Sequence, residues 1–324
     1  MNSSTSPRRV VVTGAAGFIG SHLTDALLNN GTTVIAVDKR DHNDPAAAAN
    51  LAPLHGRPGY HPVTADLRDC ALQPLLLDAD AVFHLAGIPG VRPSWGPQFS
   101  EYIDANVLAT QRLMDTATSM RVPRVVVASS SSVYGVTDGL PSIESDHPAP
   151  ASPYAVTKLA EEQLSLAHAA RHGSATTVVA LRYFTVYGPR QRSDMFIHRA
   201  LHAAATGQPL RLYGDGHQRR DFTYVTDAVA ATIAAATTED ANLVINVGSS
   251  ANTSLHEIID LAEQLTGQAI DLQAQGTRDG DIPSTCADRT RAKQLLSWTP
   301  VTDLRTGMRE QLNALVARQQ PAAA

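Results

Sequence analysis

The feature that most constrains the fold is a glycine-punctuated turn between a short apolar run and a helical pattern. Residues 10–12 are three valines, and the turn GAAGFIG follows. Strand, tight turn and helix in this order predict the first unit of a parallel α/β sheet. Gly14 suits unusual dihedral angles, Gly17 lets a diphosphate approach the backbone, and Gly20 lets the helix pack on the strand. We expect that helix to open at Ser21.

An acidic residue after the second predicted strand indicates which ligand the turn serves. The strand over 33–37 ends in Asp38, eighteen residues after Gly20. A carboxylate there can accept hydrogen bonds from both hydroxyls of an adenosine ribose, which favours NAD over its 2′-phosphorylated relative. Lys39 and Arg40 follow directly and offer positive charge to a 2′-phosphate, so the phosphorylated cofactor is the alternative. A tight βα turn with no ligand is the other alternative.

Alternating strand and helix patterns predict the overall fold class. Over residues 1–182 they indicate an α/β fold, a Rossmann-type doubly wound parallel sheet that binds NAD. Beyond that point Pro, Gly and short strands increase, which predicts a smaller C-terminal α/β substrate lobe over 183–324. We expect residues 224–248 to return to the main sheet. Residues 41–59 are interpreted as a connection, and 270–287 as irregular.

Composition argues against several classes of function. The net charge is −5 and no long basic run occurs, so nucleic acid is not expected as the main partner. Cys70 and Cys286 are expected to be reduced thiols, and the histidines show no metal-ligand spacing, so no metal is predicted. No signal peptide or membrane-spanning run is recognisable, which favours the cytoplasm and no membrane partner.

Two further strand ends are expected to line the cofactor site. Asp66 follows the strand near 60–63 and can accept a hydrogen bond from the adenine amino group. Its alternative role is to cap a helix over 70–77. The apolar strand 81–84 runs into the small residues 85–87, which suit a strand end that lies under a cofactor.

A tyrosine and a lysine supply the most specific chemical signal. Tyr154 and Lys158 are four residues apart at the start of a predicted helix, so they share one helix face. A lysine ammonium stabilises a neighbouring phenolate, which makes the tyrosine a usable general base. The lysine can also hold the nicotinamide ribose. Four serines at 129–132 follow the strand 124–128 directly and place hydroxyls at the same edge of the sheet; a flexible linker is the alternative.

Together these motifs resemble one family. The order TGAAGFIG, Asp38, Asp66, HLAG, SSSSVYG, SPYAVTK, LRYFTVYGPR and RRDFTYV is similar to that of the extended short-chain dehydrogenase/reductases that act on nucleotide sugars. The resemblance covers nearly the whole chain. It implies an enzyme that keeps its NAD bound, a C-terminal lobe that grips the nucleotide, and a homodimer formed through helices near 98–120 and 152–172.

The resemblance also implies roles for individual residues. Ser130 would join the catalytic Tyr154 and Lys158 by pairing with Tyr154 on the reacting sugar oxygen, and Asn106 would be a buried polar residue behind the site. Arg220 and Arg278 would contact the nucleotide diphosphate, with surface salt bridges as the alternative. The expected cofactor-binding residues are Gly14, Gly17, Phe18, Ile19, Gly20, Asp38, Lys39, Asp66, Leu67, Leu85, Ala86, Gly87, Tyr154, Lys158 and Tyr183. The expected substrate-binding residues are Arg92, Ser130, Ser131, Ser132, Thr185, Arg190, Arg192, Arg220 and Arg278.

Two serines distinguish members of that family. Its 4,6-dehydratases carry Asp-Glu where this chain has Ser131 and Ser132, and its uronate decarboxylases carry Glu at the second position. Neither acid is present here, which favours reversible oxidation at one carbon, that is, epimerisation. Most relatives also have Asn where this chain has Thr185. The run FTVYGPRQR-x-DM, with GVR-x-S upstream, resembles the UDP-glucuronic acid 4-epimerases in particular.

The charge that such a substrate carries supports the same interpretation. A uronate carboxylate beside nicotinamide needs a cation or several hydrogen-bond donors. Arg192 is the first candidate, followed by Arg92 and Arg190, and pairing of Arg192 with Asp194 is the alternative. We therefore expect an NAD-dependent UDP-glucuronate 4-epimerase that does not decarboxylate. A UDP-glucose or other UDP-hexose 4-epimerase and a non-catalytic dinucleotide-binding regulator are the alternatives.

Overall fold

The fold was analysed in a computed structural model that describes residues 7–137, 139, 141–276 and 280–319. Its strands are β1 (Arg9–Thr13), β2 (Thr33–Asp38), β3 (Tyr60–Thr64), β4 (Ala81–His84), β5 (Arg124–Ser130), β6 (Thr177–Tyr183), β7 (Thr185–Tyr187), β8 (Leu210–Tyr213), β9 (Arg219–Tyr224), β10 (Leu243–Val247), β11 (Asn252–Ser254) and β12 (Leu272–Gln275). Its α-helices are α1 (Phe18–Asn29), α2 (Pro45–Leu51), α3 (Gln73–Leu76), α4 (Phe99–Tyr102), α5 (Ala109–Ser119), α6 (Pro153–Ala169), α7 (Phe196–Thr206), α8 (Val225–Thr237), α9 (Leu255–Thr266), α10 (Thr290–Leu296) and α11 (Leu304–Gln319).

The main sheet has seven strands in the order β10-β6-β5-β4-β1-β2-β3. All of its neighbouring strands pair in parallel. The chain order reverses at β1, whose neighbours are β2 and β4. In doubly wound sheets a crevice opens at the carboxyl ends of the strands on either side of such a point. The expected Rossmann-type fold is therefore observed, with its ligand edge at the glycine turn after β1.

Both faces of this sheet are buried, as the run of valines in β1 requires. Val10 and Val12 belong to one apolar cluster and Val11 to another, because successive side chains in a strand point to opposite faces. On the Val10 face α1 packs against α8. On the Val11 face α5 packs against α6, the helix that begins next to Tyr154. Helices on both faces of the sheet therefore hold the ends of its strands in place.

The second part of the molecule is built from short strands and three longer helices. β11, β9 and β7 form one small sheet, and β12 pairs with β8 in another. α7, α9 and α11 pack on one another beside them. β10 lies next to β6, so the segment Leu243–Val247 belongs to the main sheet. Within the described residues, none of the helices combines the length and the apolar character that crossing a membrane requires.

Several local expectations were wrong. α1 begins at Phe18 instead of Ser21, so the third glycine of the turn is already helical. Residues 41–59 contain α2, whose start is capped by the Asp44 side chain accepting from the Ala47 amide at 2.8 Å. The stretch 270–287 contains β12. Asp66 does not cap a helix over 70–77, because α3 begins only at Gln73 and has Leu72 at its cap.

Candidate functional site

One cavity of about 860 Å³ runs along the carboxyl edge of the main sheet. It brings together every predicted cofactor-binding residue, from the glycine turn to Tyr183. It also includes the three predicted catalytic residues and most of the predicted substrate-binding ones. Residues far apart in sequence therefore line the same cavity, because the carboxyl ends of parallel strands lie at one edge of the sheet.

The glycines of the turn leave room that side chains would fill. Gly14 has φ +70°, and a Cβ there would lie 2.8 Å from the backbone of Leu85 and Ala86. A Cβ on Gly20 would lie 2.1 Å from the Gly14 carbonyl oxygen, which explains why the helix can pack so closely on the turn. Gly17 lines the cavity and precedes the first residue of α1. The free amides of a helix N-terminus therefore face a space suited to a diphosphate.

Asp38 lies at the end of β2 and lines the same cavity. Its carboxylate accepts from the Ala16 amide at 3.0 Å, which ties the end of β2 to the glycine turn. The Arg40 guanidinium bonds the same carboxylate through Nε at 3.2 Å and Nη2 at 3.3 Å. Arg40 is thus engaged by Asp38 itself, which favours a ribose with free hydroxyls over one carrying a 2′-phosphate.

Asp66 also lines the cavity, and its partner is on the adjacent loop. The Arg68 guanidinium donates to the carboxylate at 2.7 to 3.0 Å, and the Arg68 amide donates at 3.0 Å. The bond from Arg68 lowers the pKa of Asp66 below its ordinary value. Asp66 is therefore held as an oriented acceptor at the cavity wall.

Two arginines from distant parts of the chain lie beside the glycine turn. Arg190 lies against α1, with Nη2 3.8 Å from Asp25, and its Nη1 is buried without a partner among the described residues. Arg318 of α11 donates to Asn50 Oδ1 at 3.4 Å, and Asn50 donates to the Ala16 carbonyl at 3.1 Å. Both arginines line the cavity. An unsatisfied buried guanidinium beside a glycine cradle fits an anionic group such as the NAD diphosphate.

Tyr154 owes its position to the start of α6. The Ser152 hydroxyl accepts from the Ala155 amide at 3.2 Å and caps the helix, and Pro153 occupies the first turn. The Tyr154 amide donates to Ser94 Oγ at 3.0 Å, and its ring meets Tyr102 edge-on at 6.3 Å. The backbone of Tyr154 is therefore held by Ser94, and its ring is positioned by Tyr102.

The serine run ends β5 and opens into a single 3₁₀ turn over Ser131–Tyr134. Ser130 Oγ accepts from the Ser132 amide at 3.2 Å and from the Ser132 hydroxyl at 2.9 Å. Because Ser130 accepts both bonds, its own proton is left to donate to a ligand oxygen. All three of Ser130, Ser131 and Ser132 line the cavity, so a flexible linker is the wrong interpretation.

Lys158 follows Tyr154 on the same face of α6 and also lines the cavity. Its ammonium is buried and donates to Glu161 Oε2 at 2.5 Å. Asn106 lies behind it, fully buried, with Nδ2 bonded to Thr157 Oγ1 at 3.0 Å and Oδ1 accepting from Ile88 at 2.7 Å. Asn106 sits in a π-helical segment, Ile103–Leu108, where the expected helix of 98–120 widens by one residue per turn.

Two residues predicted to contact the substrate, Thr185 and Arg192, line the cavity. Arg190 lines it as well, but it lies against α1 beside the glycine turn and not with the other two. Arg192 forms a two-pronged pair with Asp194, with Nε to Oδ1 at 2.9 Å and Nη2 to Oδ2 at 3.0 Å. The Arg192–Asp194 pair, which was the alternative in the sequence analysis, is thus present. The half-exposed guanidinium of Arg192 still lies at the cavity wall.

The remaining arginines predicted to bind the substrate, Arg220 and Arg278 at the nucleotide diphosphate and Arg92 at the carboxylate, differ from one another. Arg220 lines the cavity and donates to the Arg219 carbonyl at 2.8 Å, and burial lowers its pKa. Arg92 does not line the cavity; it stacks over the Tyr213 ring at 4.6 Å and lies 3.5 Å from Asp281. Arg278 lies outside the described residues.

Sequence reasoning missed several residues that line the cavity, among them Arg40, Asn50, Asp281 and Arg318. Arg40 was noted only as an argument about a 2′-phosphate. Asn50 lies in α2, which was interpreted as a connection, and Arg318 lies close to the end of the chain. No local pattern marks Arg318, because only the packing of α11 brings it to the cavity.

Comparison with known proteins identifies close relatives. The model of the NAD-dependent epimerase/dehydratase family matches residues 10–248. The uncharacterized UDP-glucose epimerase YtcB of Bacillus subtilis is 38% identical over 316 residues, covering 96% of this chain and 99% of that protein.

Two solved structures are similar over nearly the whole fold. MoeE5 in complex with UDP-glucuronic acid and NAD is 46% identical with a TM-score of 0.89, over 96% of this chain and 99% of that one. MoeE5 has also been solved with UDP-glucose and NAD. UDP-glucuronic acid 4-epimerase from Bacillus cereus, with UDP-glucuronic acid and NAD, is 36% identical with a TM-score of 0.91, over 96% and 99%. The predicted Rossmann fold and NAD as cofactor are confirmed by these relatives.

Proposed function

The chain belongs to the NAD-dependent epimerase/dehydratase family, and from that premise we propose that it is a UDP-glucuronate 4-epimerase. It would interconvert UDP-glucuronic acid and UDP-galacturonic acid through a 4-keto sugar, without decarboxylation. The observation on which this rests most is the cavity wall at Ser130–Ser132. It offers hydroxyls at Ser131 and Ser132, where the family's dehydratases carry two acids and its decarboxylases carry Glu at the second position.

Three side chains would perform the proton chemistry. Tyr154, as phenolate, removes the proton from the hydroxyl on sugar carbon 4, while Ser130 donates a hydrogen bond to the same oxygen. Lys158 supports the phenolate with its positive charge. Bound NAD⁺ would supply hydride acceptance and return at carbon 4. Tyr154 gives the proton back after the keto sugar has turned over in the cavity, so the product differs only at carbon 4.

The carboxylate on carbon 5 creates a hazard that the site must suppress. A ketone at carbon 4 makes the intermediate a β-keto acid, which loses carbon dioxide fastest when the carboxylate stands perpendicular to the ketone plane. Ser131, Ser132 and Arg192 are suited to hold it out of that orientation. Arg192 is suited to exchange Asp194 for the substrate carboxylate, since a guanidinium binds either one through two parallel hydrogen bonds.

Product analysis without added cofactor tests the proposal. Purified protein is incubated with UDP-glucuronic acid, and the nucleotide sugars are separated. We expect UDP-galacturonic acid, no UDP-pentose and no carbon dioxide, and NAD⁺ should be released on denaturation. Tyr154→Phe is the control that should form no product. UDP-pentose as the main product would reassign the protein as a decarboxylase.

A second candidate is a 4-epimerase for neutral UDP-hexoses. The relative from Bacillus subtilis is described as a UDP-glucose epimerase, and MoeE5 binds UDP-glucose as well as UDP-glucuronic acid. The ratio of kcat/KM for the two substrates separates the candidates. The third possibility, a non-catalytic dinucleotide-binding regulator, is disfavoured because Ser130, Tyr154 and Lys158 share one cavity.

We also propose that the protein forms a homodimer through the helical face of 98–120 and 152–172. Leu108 and Val156 lie in these two segments and are 50% and 48% exposed, which is unusual for large apolar side chains on packed helices. Sedimentation analysis of wild type and of the Leu108→Glu/Val156→Glu double variant tests this. We expect a dimer that becomes a monomer in the variant; a wild-type monomer would contradict the proposal.

A further inference from the structure

One buried carboxylate beside the catalytic lysine has no part in the mechanism above. Glu161 lies on α6, three residues after Lys158, and its side chain is 0% exposed. Lys158 Nζ donates to Glu161 Oε2 at 2.5 Å. Because neither group reaches bulk water, their interaction is screened far less than that of a surface ion pair.

The other oxygen of Glu161 faces a histidine that stays neutral. Oε1 has no hydrogen-bond partner among the described residues, and His84 Nε2 lies 3.7 Å away. Thr110 uses its proton on the Asn106 carbonyl at 2.6 Å, so His84 Nε2 donates to Thr110 at 2.9 Å. His84 Nδ1 then accepts from Thr13 at 2.8 Å. Burial lowers the pKa of His84 to about 3, which leaves the imidazole without charge.

Lys158 is therefore the cation that Glu161 contacts directly. The other ionisable groups near the pair are Tyr154, on the cavity side, and Glu162, which is itself bonded to Arg182 at 2.7 Å. Burial alone would lower the pKa of Lys158, but the Glu161 carboxylate, together with Tyr154 and Glu162, outweighs burial and raises it. Burial also raises the pKa of Glu161, to about 7.

We propose that Glu161 is a positioning residue that anchors the Lys158 ammonium below the cavity and offsets part of its positive charge, so that it sets the pH range in which Tyr154 acts as a base. The inference deepens the proposed function and rests on its Tyr154–Lys158 chemistry. Of the three N–H groups of Lys158, one is committed to Glu161 and two remain for the cavity.

The sign of the effect follows from charge. An ionised Glu161 cancels part of the field that favours the Tyr154 phenolate. Removing that negative charge while keeping the shape leaves the ammonium uncompensated, so the phenolate forms at lower pH. The ammonium also loses its carboxylate partner in a buried place, so Lys158 gives up its proton at lower pH than before.

A tyrosinate difference titration tests this without any substrate. The absorbance change of holoenzyme with Tyr154 is compared with that of Tyr154→Phe, in the wild-type background and in the E161Q background. We expect the midpoint of Tyr154 ionisation to fall by about one pH unit in E161Q. The pH profile of kcat/KM is then measured with UDP-glucuronic acid or UDP-glucose, whichever the enzyme turns over. In E161Q both limbs of this profile should move to lower pH. Because the titration needs no substrate, it tests the role of Glu161 even if UDP-glucuronic acid is not the substrate.

The matched control is Glu162→Gln, which removes one buried negative charge from the same turn of α6 but from Arg182 instead of Lys158. Glu162→Gln should lower the free energy of unfolding and leave the pH midpoint of Tyr154 ionisation unchanged. If E161Q does not fold, E161D decides, because the shorter side chain moves the carboxylate away from Nζ and should shift the midpoint the same way by less. An unchanged or raised midpoint, or an equal shift in E162Q, overturns the proposal.

Discussion

At the scale of single residues, Arg192 is the side chain on which substrate choice is expected to depend most. Its guanidinium lies at the cavity wall and is paired with Asp194. Replacing it with Ala should reduce kcat/KM for UDP-glucuronic acid about 100-fold, or by about 2.7 kcal/mol, because a charge-assisted double hydrogen bond to the carboxylate is lost. Activity on UDP-glucose should change little.

Product analysis of the same variant checks the second role of Arg192. A carboxylate that is no longer held should be lost more often as carbon dioxide, so the share of UDP-pentose should rise. Arg192→Lys keeps the charge without the planar fork and should fall between wild type and Ala. If Arg192→Ala leaves both turnover and UDP-pentose formation unchanged, the carboxylate is held elsewhere.

His22 leads to a prediction about how the free energy of unfolding depends on pH. Its Nε2 donates to the Pro189 carbonyl at 2.8 Å, and burial together with Arg190 lowers its pKa from 6.5 to about 4. A base with a depressed pKa in the folded state stays neutral while the unfolded chain takes up a proton, so stability falls as pH drops through 6.5 towards 4. Between about pH 7 and pH 5 this one group should account for a loss of about 2 kcal/mol.

The measurement is the free energy of unfolding of holoenzyme at these two pH values. His22→Gln keeps an N–H donor for Pro189 but removes the titration, so its loss of stability on acidification should be smaller by about that amount. His61→Gln, at an exposed position of β3, should behave like wild type. Equal pH sensitivity in His22→Gln and wild type would contradict the assignment of a buried neutral imidazole.

At the scale of elements, the C-terminal helix α11 contributes a residue to the cavity, which its sequence does not predict. α11 packs on α7 and α9 and delivers Arg318 to the cavity, where it bonds Asn50 beside the glycine turn. Arg318→Ala should weaken retention of NAD about 10-fold, since one charge-assisted contact near the diphosphate is lost. The fraction of NAD that co-purifies, measured after denaturation, reports this directly.

Arg309→Ala is the matched control for this element. Arg309 is exposed on the same helix and does not line the cavity, so its loss should leave NAD retention unchanged. If both variants retain NAD as wild type does, α11 is only a packing element of the C-terminal lobe.

The elements also separate what local pattern can and cannot predict. β1, β2 and the start of α6 were predicted, because apolar runs, the glycine turn and a Ser-Pro cap are local signals. α2 was missed because the Asp, Pro and Gly residues of 41–59 resemble a loop, although its alanines favour a helix and Asp44 caps it. The π-helical turn at Ile103–Leu108 was missed because it depends on Asn106 reaching Ile88 and Thr157, contacts that only the fold creates.

At the scale of the whole molecule, the cavity separates cofactor retention from substrate choice. Gly17 lines it at the diphosphate end, and a Cβ there would lie 3.0 Å from the Gly14 carbonyl oxygen. Gly17→Ala should therefore fold but hold NAD less tightly, so that turnover comes to depend on added NAD⁺. The ratio of kcat/KM for UDP-glucuronic acid and UDP-glucose should stay as in wild type, because Ser131, Ser132 and Arg192 are untouched.

The control for this variant is Gly139→Ala, where an added Cβ meets nothing within 4 Å. It should retain NAD and need none in the assay. A changed substrate ratio in Gly17→Ala would mean that the two ends of the cavity are coupled, contrary to the separation proposed above.

The amino-acid sequence by itself determined the class of fold, the glycine cradle, the Tyr154–Lys158 pair and the serines that follow β5. These depend on residue type and spacing over a few positions, and steric and hydrogen-bonding rules act at that range. Only the tertiary structure decided that Arg318 reaches the cavity, that Arg92 does not line it, and that Glu161 faces His84 of β4. Such contacts join segments whose separation in sequence carries no periodic signal, so packing of whole elements must bring them together.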